Sequence, residues 1–396
     1  MAEPKPRWDI LLKDAMQKLR ERHPNMNIQT NYTVLPYLSS RKKMLNALGN
    51  KSSIDLLSVD EIWLGDFAER GYLTDLTDRA KSWGGLSDWY QANLDGSLYK
   101  GKVYGIWAWT DVTGMWYWKD LLNQAGVDPN SLKTWDGYIE AAKTLNKALN
   151  AQRIQGIGLD CGAALWYPYL WMLGGDILVQ KSGHPTKGTY WFPAYNRTQG
   201  LTALQFINDQ IKAGIKPIAN GDYDESSFVN RTYAVFIEGS WLPEEFPPNL
   251  LSGLEKKVGF IPMYPVPNEG VQTTTVMGGW ELSIPQTSKN KDLAWELITL
   301  MVKPDILAPM LAKTGLLPTQ MSIGQGPFSN ILDQTIPYYD KMISMINLGR
   351  ARPSIPEFAQ IDDQVNEMLK QVCQGGKEPK QALDEAAAKS AKVLGW

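Results

Sequence analysis

Apolar residues recur at helical spacing through residues 8–22, where Ile10, Leu11, Ala15, Met16 and Leu19 share one face, and Pro24-Asn25 stops the pattern. Residues 26–31, Met-Asn-Ile-Gln-Thr-Asn, then alternate as a strand does. A second helix is predicted over 41–48, ended by Gly49-Asn50, and a buried strand over 53–59. The helix that follows, 62–69, is closed by Gly71. The same rhythm continues along the chain. Strands at 103–109, 156–160, 233–237, 258–262 and 282–285 stand among helices at 135–149, 199–213 and 292–302, the first of these opened by Thr134. The tail, 361–393, is almost wholly helical with a break at Gly375-Gly376. Helices alternating with short apolar strands predict an α/β fold built of βαβ units around a largely parallel sheet.

Composition narrows the function more than the fold. A chain of 396 residues favours two or so domains over one. Its formal charge of -2, with no basic stretch interleaved with aromatics, weighs against nucleic acid, which needs a concentrated positive face. The longest apolar runs are far short of a membrane span. Only two histidines are present, His23 at a predicted helix end and His184 in the polar turn Lys181-Ser-Gly-His-Pro185. A His-based metal cluster or catalytic triad has little to work with, and no glycine-rich phosphate cradle occurs, so no cofactor or metal is expected. Cys161 and Cys373 have no metal-ligand spacing, and whether they form a disulfide stays open at this point.

Tryptophan is the unusual number: 16, beside 17 Tyr and only 9 Phe. An indole joins a flat apolar face to a polar edge, which suits the C–H faces and hydroxyl rim of a sugar ring as well as it suits a core. Four clusters carry this chemistry. Asp60-Glu61-Ile-Trp63 follows a buried strand, where ligands of open α/β sheets collect, though Asp60 also reads as a plain helix cap with Glu61 in the first turn. Trp107-Ala-Trp109-Thr-Asp111 sets a hydroxyl acceptor beside indoles, while the alternation of Trp107 and Trp109 equally fits a strand's core face. Glu238-Gly-Ser-Trp241 follows another strand. In Met277-Gly278-Gly279-Trp280 paired glycines permit close backbone approach. For these last two the plain alternative is a turn with a packed Trp. Asp60, Glu61, Asp111 and Glu238 would also serve a glycoside hydrolase, which needs two carboxylates at a set separation that spacing does not give.

In their order along nearly the whole chain, several segments resemble the family 1 extracellular solute-binding proteins, the sugar receptors of ABC importers. They are Asp60-Glu-Ile-Trp-Leu-Gly-Asp-Phe-Ala-Glu-Arg-Gly-Tyr-Leu73, Leu98-Tyr-Lys-Gly-Lys-Val-Tyr-Gly105, Asp111-Val-Thr-Gly-Met-Trp-Tyr-Trp-Lys-Asp-Leu121 and Trp171-Met-Leu-Gly-Gly-Asp176. The Gly278-Gly-Trp280 loop leading to Leu282-Ser-Ile-Pro285 and Ala294-Trp-Glu-Leu297, and Arg350-Ala-Arg-Pro-Ser-Ile-Pro356, complete the set. Within the family the chain is most similar to the trehalose/maltose-binding proteins. That resemblance implies ligand contacts from Asp60, Trp63, Trp109, Asp111, Trp241, Gly278, Gly279, Trp280 and Arg352, with Arg41 and Glu61 as further polar candidates. One departure stands out. Family members place an apolar strand before the first helix, and here Trp8 already lies at the helix start while Met1 to Pro6 is too short and proline-rich, which leaves one edge of the site unaccounted for.

The resemblance also implies a two-lobed periplasmic-binding-protein fold (type II), each lobe a sheet flanked by helices. Lobe one is expected at 1–109 and 272–315, lobe two at 110–271 and 316–396, joined by a hinge that closes on a ligand held in the cleft. The implied function is capture of a small α-glucoside such as trehalose, maltose or sucrose, without catalysis, and delivery to the permease subunits of the importer by a monomeric receptor. A glucosyl-polyol such as glucosylglycerol, a maltodextrin or glycerol 3-phosphate are the alternative solutes. The expected location is periplasmic or extracytoplasmic. Met1 to Pro6 has no apolar core of an export signal, although an initiator Met-Ala ahead of a mature sequence would look the same, and a lipid anchor on a native precursor stays open.

Overall fold

The structure is a computed structural model that describes residues 7–184, 188–218, 225–251 and 253–396. Met1 to Pro6, read above as too short for the family's first strand, and Pro185 of the expected polar turn lie outside the described residues. Lys181 to His184 end the strand Leu178–His184 instead of forming a turn.

Two units divide the chain. The first comprises Met1–Asp111, Met277–Ile343 and Ala351–Ala359; the second comprises Val112–Val276, Ser344–Arg350 and Gln360–Trp396. Residues 316–343 and 351–359, expected in lobe two, therefore belong with the first unit. The reason is local pairing: Leu317 and Pro318 lie opposite Thr110 and Trp109 in an antiparallel ladder, and the Gln320 side chain donates to the Val302 carbonyl at 2.9 Å.

In the first unit, helix Arg7–Arg22 buries Leu11, Ala15, Met16 and Leu19 of the predicted stripe together with Trp8 and Leu12, while Ile10 is half-buried. That stripe packs against helices Lys291–Met301 and Pro304–Thr314. The expected strand at 26–31 does not form: these residues are irregular, and Met26 is 53% exposed. Two apolar residues among asparagines bury too little surface to hold a strand without a partner ladder. Strand Leu57–Asp60 is buried throughout and pairs antiparallel with Thr275–Ser283, setting Leu57 opposite Ser283 and Asp60 opposite Trp280.

The largely parallel sheet predicted from the alternation is not what forms. Ile106–Trp118 runs antiparallel to both Tyr233–Gly239 and Val258–Ile261 in the second unit, where parallel pairing joins Gln155–Gly158 to Tyr233–Gly239 and Thr275 and Val276 to Gly349 and Arg350, with single parallel bridges at Thr134–Val266 and Leu159–Pro217. Periodicity reports that a segment is a buried strand, not which way its neighbour runs. It also underestimated two lengths. The strand expected at 103–109 continues to Trp118, and the one expected at 282–285 begins at Thr275. Gly278-Gly279, read as a loop, thus lies within a fully buried strand. Glycine is required there by close approach: Gly279 has φ +154°, and a Cβ on it would sit 1.9 Å from the Trp107 Nε1 and 2.4 Å from the Trp109 carbonyl oxygen.

In the second unit, helix Trp135–Leu149 starts as predicted, with the Thr134 hydroxyl accepting from the Gly137 N–H at 3.3 Å. A disulfide joins Cys161 to Cys373, the last residue of helix Phe358–Cys373. Around it Tyr167 donates to Asp362 at 2.7 Å and the Ala163 N–H to the Asn366 side-chain oxygen at 2.8 Å, so the helical tail is stitched to helix Ala163–Met172.

Candidate functional site

The first unit gathers five of the residues singled out in the sequence, Asp60, Glu61, Trp63, Trp280 and Arg352, at the carboxyl end of strand Leu57–Asp60. Asp60 ends that strand and caps helix Glu61–Glu69, its Oδ1 accepting from the Ile62 N–H at 3.2 Å. The cap reading therefore holds for this side chain. Its other oxygen, Oδ2, accepts from the hydroxyl of Tyr37 at 2.9 Å.

Tyr37 was not a sequence candidate. The second helix starts one turn before the 41–48 predicted, at Tyr37, directly after Pro36. Proline just ahead of a helix is a start signal, and it was there to be read. The extra turn matters because Tyr37 and Arg41, four residues apart, share a face that meets the following helix. Tyr37 reaches Asp60, and Arg41 donates to Asp66 at 2.6 Å, with Arg70 on the other oxygen of Asp66 at 2.5 Å. Arg41, a candidate for a ligand contact, is thus placed in an ion pair that fastens two helices.

Aromatic rings surround this carboxylate. Tyr37 stacks on Trp63 with centroids 5.6 Å apart and planes at 26°; Trp280 stands edge-on to both, at 6.1 Å and 77° from Tyr37 and at 5.8 Å and 89° from Trp63. The antiparallel register opposite Asp60 is what delivers Trp280 to this corner. Such perpendicular contacts suit the ring quadrupoles and contribute about 0.5–1.5 kcal/mol each beyond area burial.

Arg352 completes the arrangement. Its Nε and a terminal nitrogen both donate to Glu61 Oε1, at 2.8 and 2.5 Å, and it stands 3.7 Å from Asp60 Oδ1. The segment that carries Arg352 comes close because Gly65 has no side chain: a Cβ there would sit 3.1 Å from the Ile355 carbonyl carbon and 3.2 Å from the Ser354 oxygen. Burial holds the Glu61 carboxyl well above the ordinary carboxylate range, against the opposing Arg352 charge and with the Asp60 charge adding to it. Glu61 therefore supports Arg352 from beneath.

The remaining candidates separate. Asp111, at the end of the first unit's portion of strand Ile106–Trp118, lies against Gly278, where a Cβ would meet its Oδ1 at 2.7 Å. Trp109 has no exposed surface and packs edge-on against Trp8 at 5.5 Å, with the Arg7 guanidinium 5.9 Å from its ring centre. The core face that alternation allowed is where it sits. Trp241 belongs to the second unit, where it is half-buried and opens the short 3-10 helix Leu242–Glu245, its carbonyl accepting from the Glu244 N–H at 2.9 Å. Arg350, two residues before Arg352, is held within the second unit, 3.0 Å from Asp176 and 4.9 Å over the ring of Trp171. Among the described residues no group of three or more His, Cys, Asp or Glu side chains is placed to hold a metal ion, and no helix is long and apolar enough to cross a membrane.

What the first unit presents is flat apolar faces, an ordered carboxylate acceptor, a phenol and a guanidinium. Such a set is chemically suited to hydroxyl groups on a compact apolar frame. A family model for bacterial extracellular solute-binding proteins matches residues 9–307. A binding protein of Brucella abortus (strain 2308) is 25% identical over 385 residues, covering 93% of this chain and 87% of that one. Among solved structures, an ABC transporter solute-binding protein from Thermotoga lettingae TMO, bound with alpha-D-tagatose, superposes with a TM-score of 0.84 at 24% identity, covering 99% of this chain and 98% of that one. Maltose-bound MalE3 of T. maritima superposes with a TM-score of 0.83 at 21% identity, covering 100% of this chain and 98% of that one. These likenesses show an α/β two-domain periplasmic-binding-protein fold.

Proposed function

The chain belongs to the family of bacterial extracellular solute-binding proteins, and on that premise we propose that it is the sugar-capturing subunit of an ABC importer, taking a small uncharged α-glucoside such as trehalose, maltose or sucrose. The observation that carries this reading is the corner formed by Tyr37, Trp63 and Trp280 beside Asp60 and Arg352. Its rings supply stacking faces for the C–H side of a pyranose, and its charged groups supply strong hydrogen bonds to hydroxyls. Asp111, Gly278 and Gly279 contribute acceptor and backbone surface beside it. Trp241, in the second unit, stays a ligand contact expected from the family resemblance. The relatives' ligands, a ketohexose in one structure and a disaccharide in another, support sugar as the class and leave the particular glucoside to experiment.

A receptor fits Asp60 and Glu61 better than a hydrolase does. Asp60 is committed to the Ile62 N–H and Tyr37, and Glu61 is buried under Arg352, so neither is poised to attack or to protonate a glycosidic oxygen. A phosphate ligand such as glycerol 3-phosphate would meet the Asp60 carboxylate, with the Arg352 guanidinium beside it already on Glu61. The disulfide supports an oxidising, extracytoplasmic compartment, where a receptor of this kind hands its cargo to permease subunits.

A thermal-shift screen with trehalose, maltose, sucrose, glucosylglycerol, maltotriose and glycerol 3-phosphate tests the proposal. Ligand that binds only the folded state raises the melting temperature by an amount set by concentration over affinity. A shift with at least one uncharged α-glucoside, and no glucose released on prolonged incubation, is the expected result. A shift only with glycerol 3-phosphate, or none at all, would overturn the α-glucoside reading.

A further inference from the structure

Resting on the reading of this corner as a sugar site, we infer that Tyr37 is a specificity-determining residue that limits Asp60 to a single ligand hydroxyl. Tyr37 is the half-buried member of the aromatic trio, whereas Trp63 and Trp280 are 4% and 5% exposed. It makes two kinds of contact at once. Its ring lies on Trp63, and its hydroxyl donates to Asp60 Oδ2. The phenol therefore fixes the carboxylate and the indole in one mutual orientation.

Asp60 has its two oxygens engaged differently. Oδ1 faces the helix N-terminus and Arg352, accepting from Ile62 and standing 3.7 Å from the guanidinium. Oδ2 accepts from Tyr37. A carboxylate oxygen accepts along about two directions, so with Tyr37 on one of them Oδ2 keeps one for a ligand. A sugar ring seated against the Trp63–Trp280 corner then presents one hydroxyl, not a vicinal pair, to this acid. Which hydroxyl that is depends on ring geometry, and this is how Tyr37 sorts one glucoside from another. Without the phenol hydroxyl the carboxylate gains a free acceptor direction and loses the donor that orients it.

Isothermal titration of wild type, Tyr37→Phe, Tyr37→Ala and Tyr37→Phe/Asp60→Asn with maltose and with trehalose tests this, beside acrylamide quenching of tryptophan fluorescence without sugar. Tyr37→Phe keeps the stack and is expected to leave quenching unchanged and the sugar-free melting temperature within about 2 °C. It is expected to weaken the preferred sugar about tenfold and to narrow the preference between the two. In the Asp60→Asn background the same change costs less than about twofold, because its effect runs through that carboxylate. Tyr37→Ala raises quenching by uncovering Trp63. Tyr37→Phe binding within about twofold of wild type, or the same loss with and without Asp60, overturns the inference while leaving the sugar site standing. A wild type that binds neither sugar overturns this inference, and one that binds no uncharged α-glucoside of the thermal-shift screen overturns the α-glucoside reading as well.

Discussion

Arg352 directs two of its N–H groups at one oxygen of Glu61, at 2.8 and 2.5 Å, while the second oxygen of that carboxyl is buried where no donor reaches it. The pair is lopsided: the second side of Glu61 has no donor, and the neighbouring Asp60 charge adds to the burial that disfavours its ionised form. A proton on that side would give it a hydrogen bond to make.

Arg352→Met should separate the two roles of this pair. Glu61, left buried without its cation, is expected to cost about 3–5 kcal/mol at pH 8. The loss should be smaller at pH 5. A carboxyl whose folded pKa is raised keeps a proton that the unfolded chain gives up above the ordinary carboxylate range, so its penalty grows as pH climbs through that window. Urea unfolding of the variant at both pH values is the check, and equal losses would be contrary to expectation.

Glu281 is a second buried carboxyl of the first unit, and neither of its oxygens has a hydrogen-bond partner. Desolvation holds it well above the ordinary carboxylate range, with the nearby Ser97 hydroxyl opposing and the Asp60 charge reinforcing. The contribution of Glu281 to wild-type stability is accordingly fully present below that range and is lost as pH rises through the raised folded value. Glu281→Gln keeps the shape and removes the charge. Its melting temperature should exceed wild type by a few degrees at pH 8 and approach it at pH 4.5, as read by calorimetry across pH.

Two tryptophans proposed for the site should behave in opposite ways. Trp109→Ala removes a fully buried ring from its packing on Trp8 and is expected to destabilise by about 3–5 kcal/mol. Trp241→Ala removes a half-buried ring and should cost about 1 kcal/mol of stability or less, yet weaken sugar binding at least tenfold. Denaturant melts paired with titration calorimetry distinguish them. A Trp241→Ala protein with wild-type affinity would remove that residue from the site.

Reduction of Cys161–Cys373 opens a loop of sequence separation 212 and releases the helical tail from the strand end beside Cys161. Chain-entropy arguments put the loss at about 5 kcal/mol. A melting temperature lowered by several degrees in dithiothreitol, reproduced by Cys161→Ser/Cys373→Ser, is expected. An unchanged midpoint would mean that the packing around Tyr167 and Asn366 holds the tail unaided.

Much of this molecule was legible along the chain. The amphipathic stripe of Arg7–Arg22, the Thr134 cap and the Gly375-Gly376 break are local features, set by side chains within a turn or two of one another. Asp60, Trp63 and Trp280 were equally visible, because an acid and indoles beside strand ends are unusual wherever they occur. Tertiary structure decided what depends on partners far apart in sequence. It set Trp280 opposite Asp60 through an antiparallel register, turned Arg41 to Asp66, buried Trp109 under Trp8 and joined Cys161 to Cys373. It also brought Tyr37 to Asp60, 23 residues away, through one extra helical turn. Periodicity encodes which face of an element is apolar, a property of neighbours along the chain; direction, register and ion-pair partners come from elements meeting in space, and no window of adjacent residues contains them.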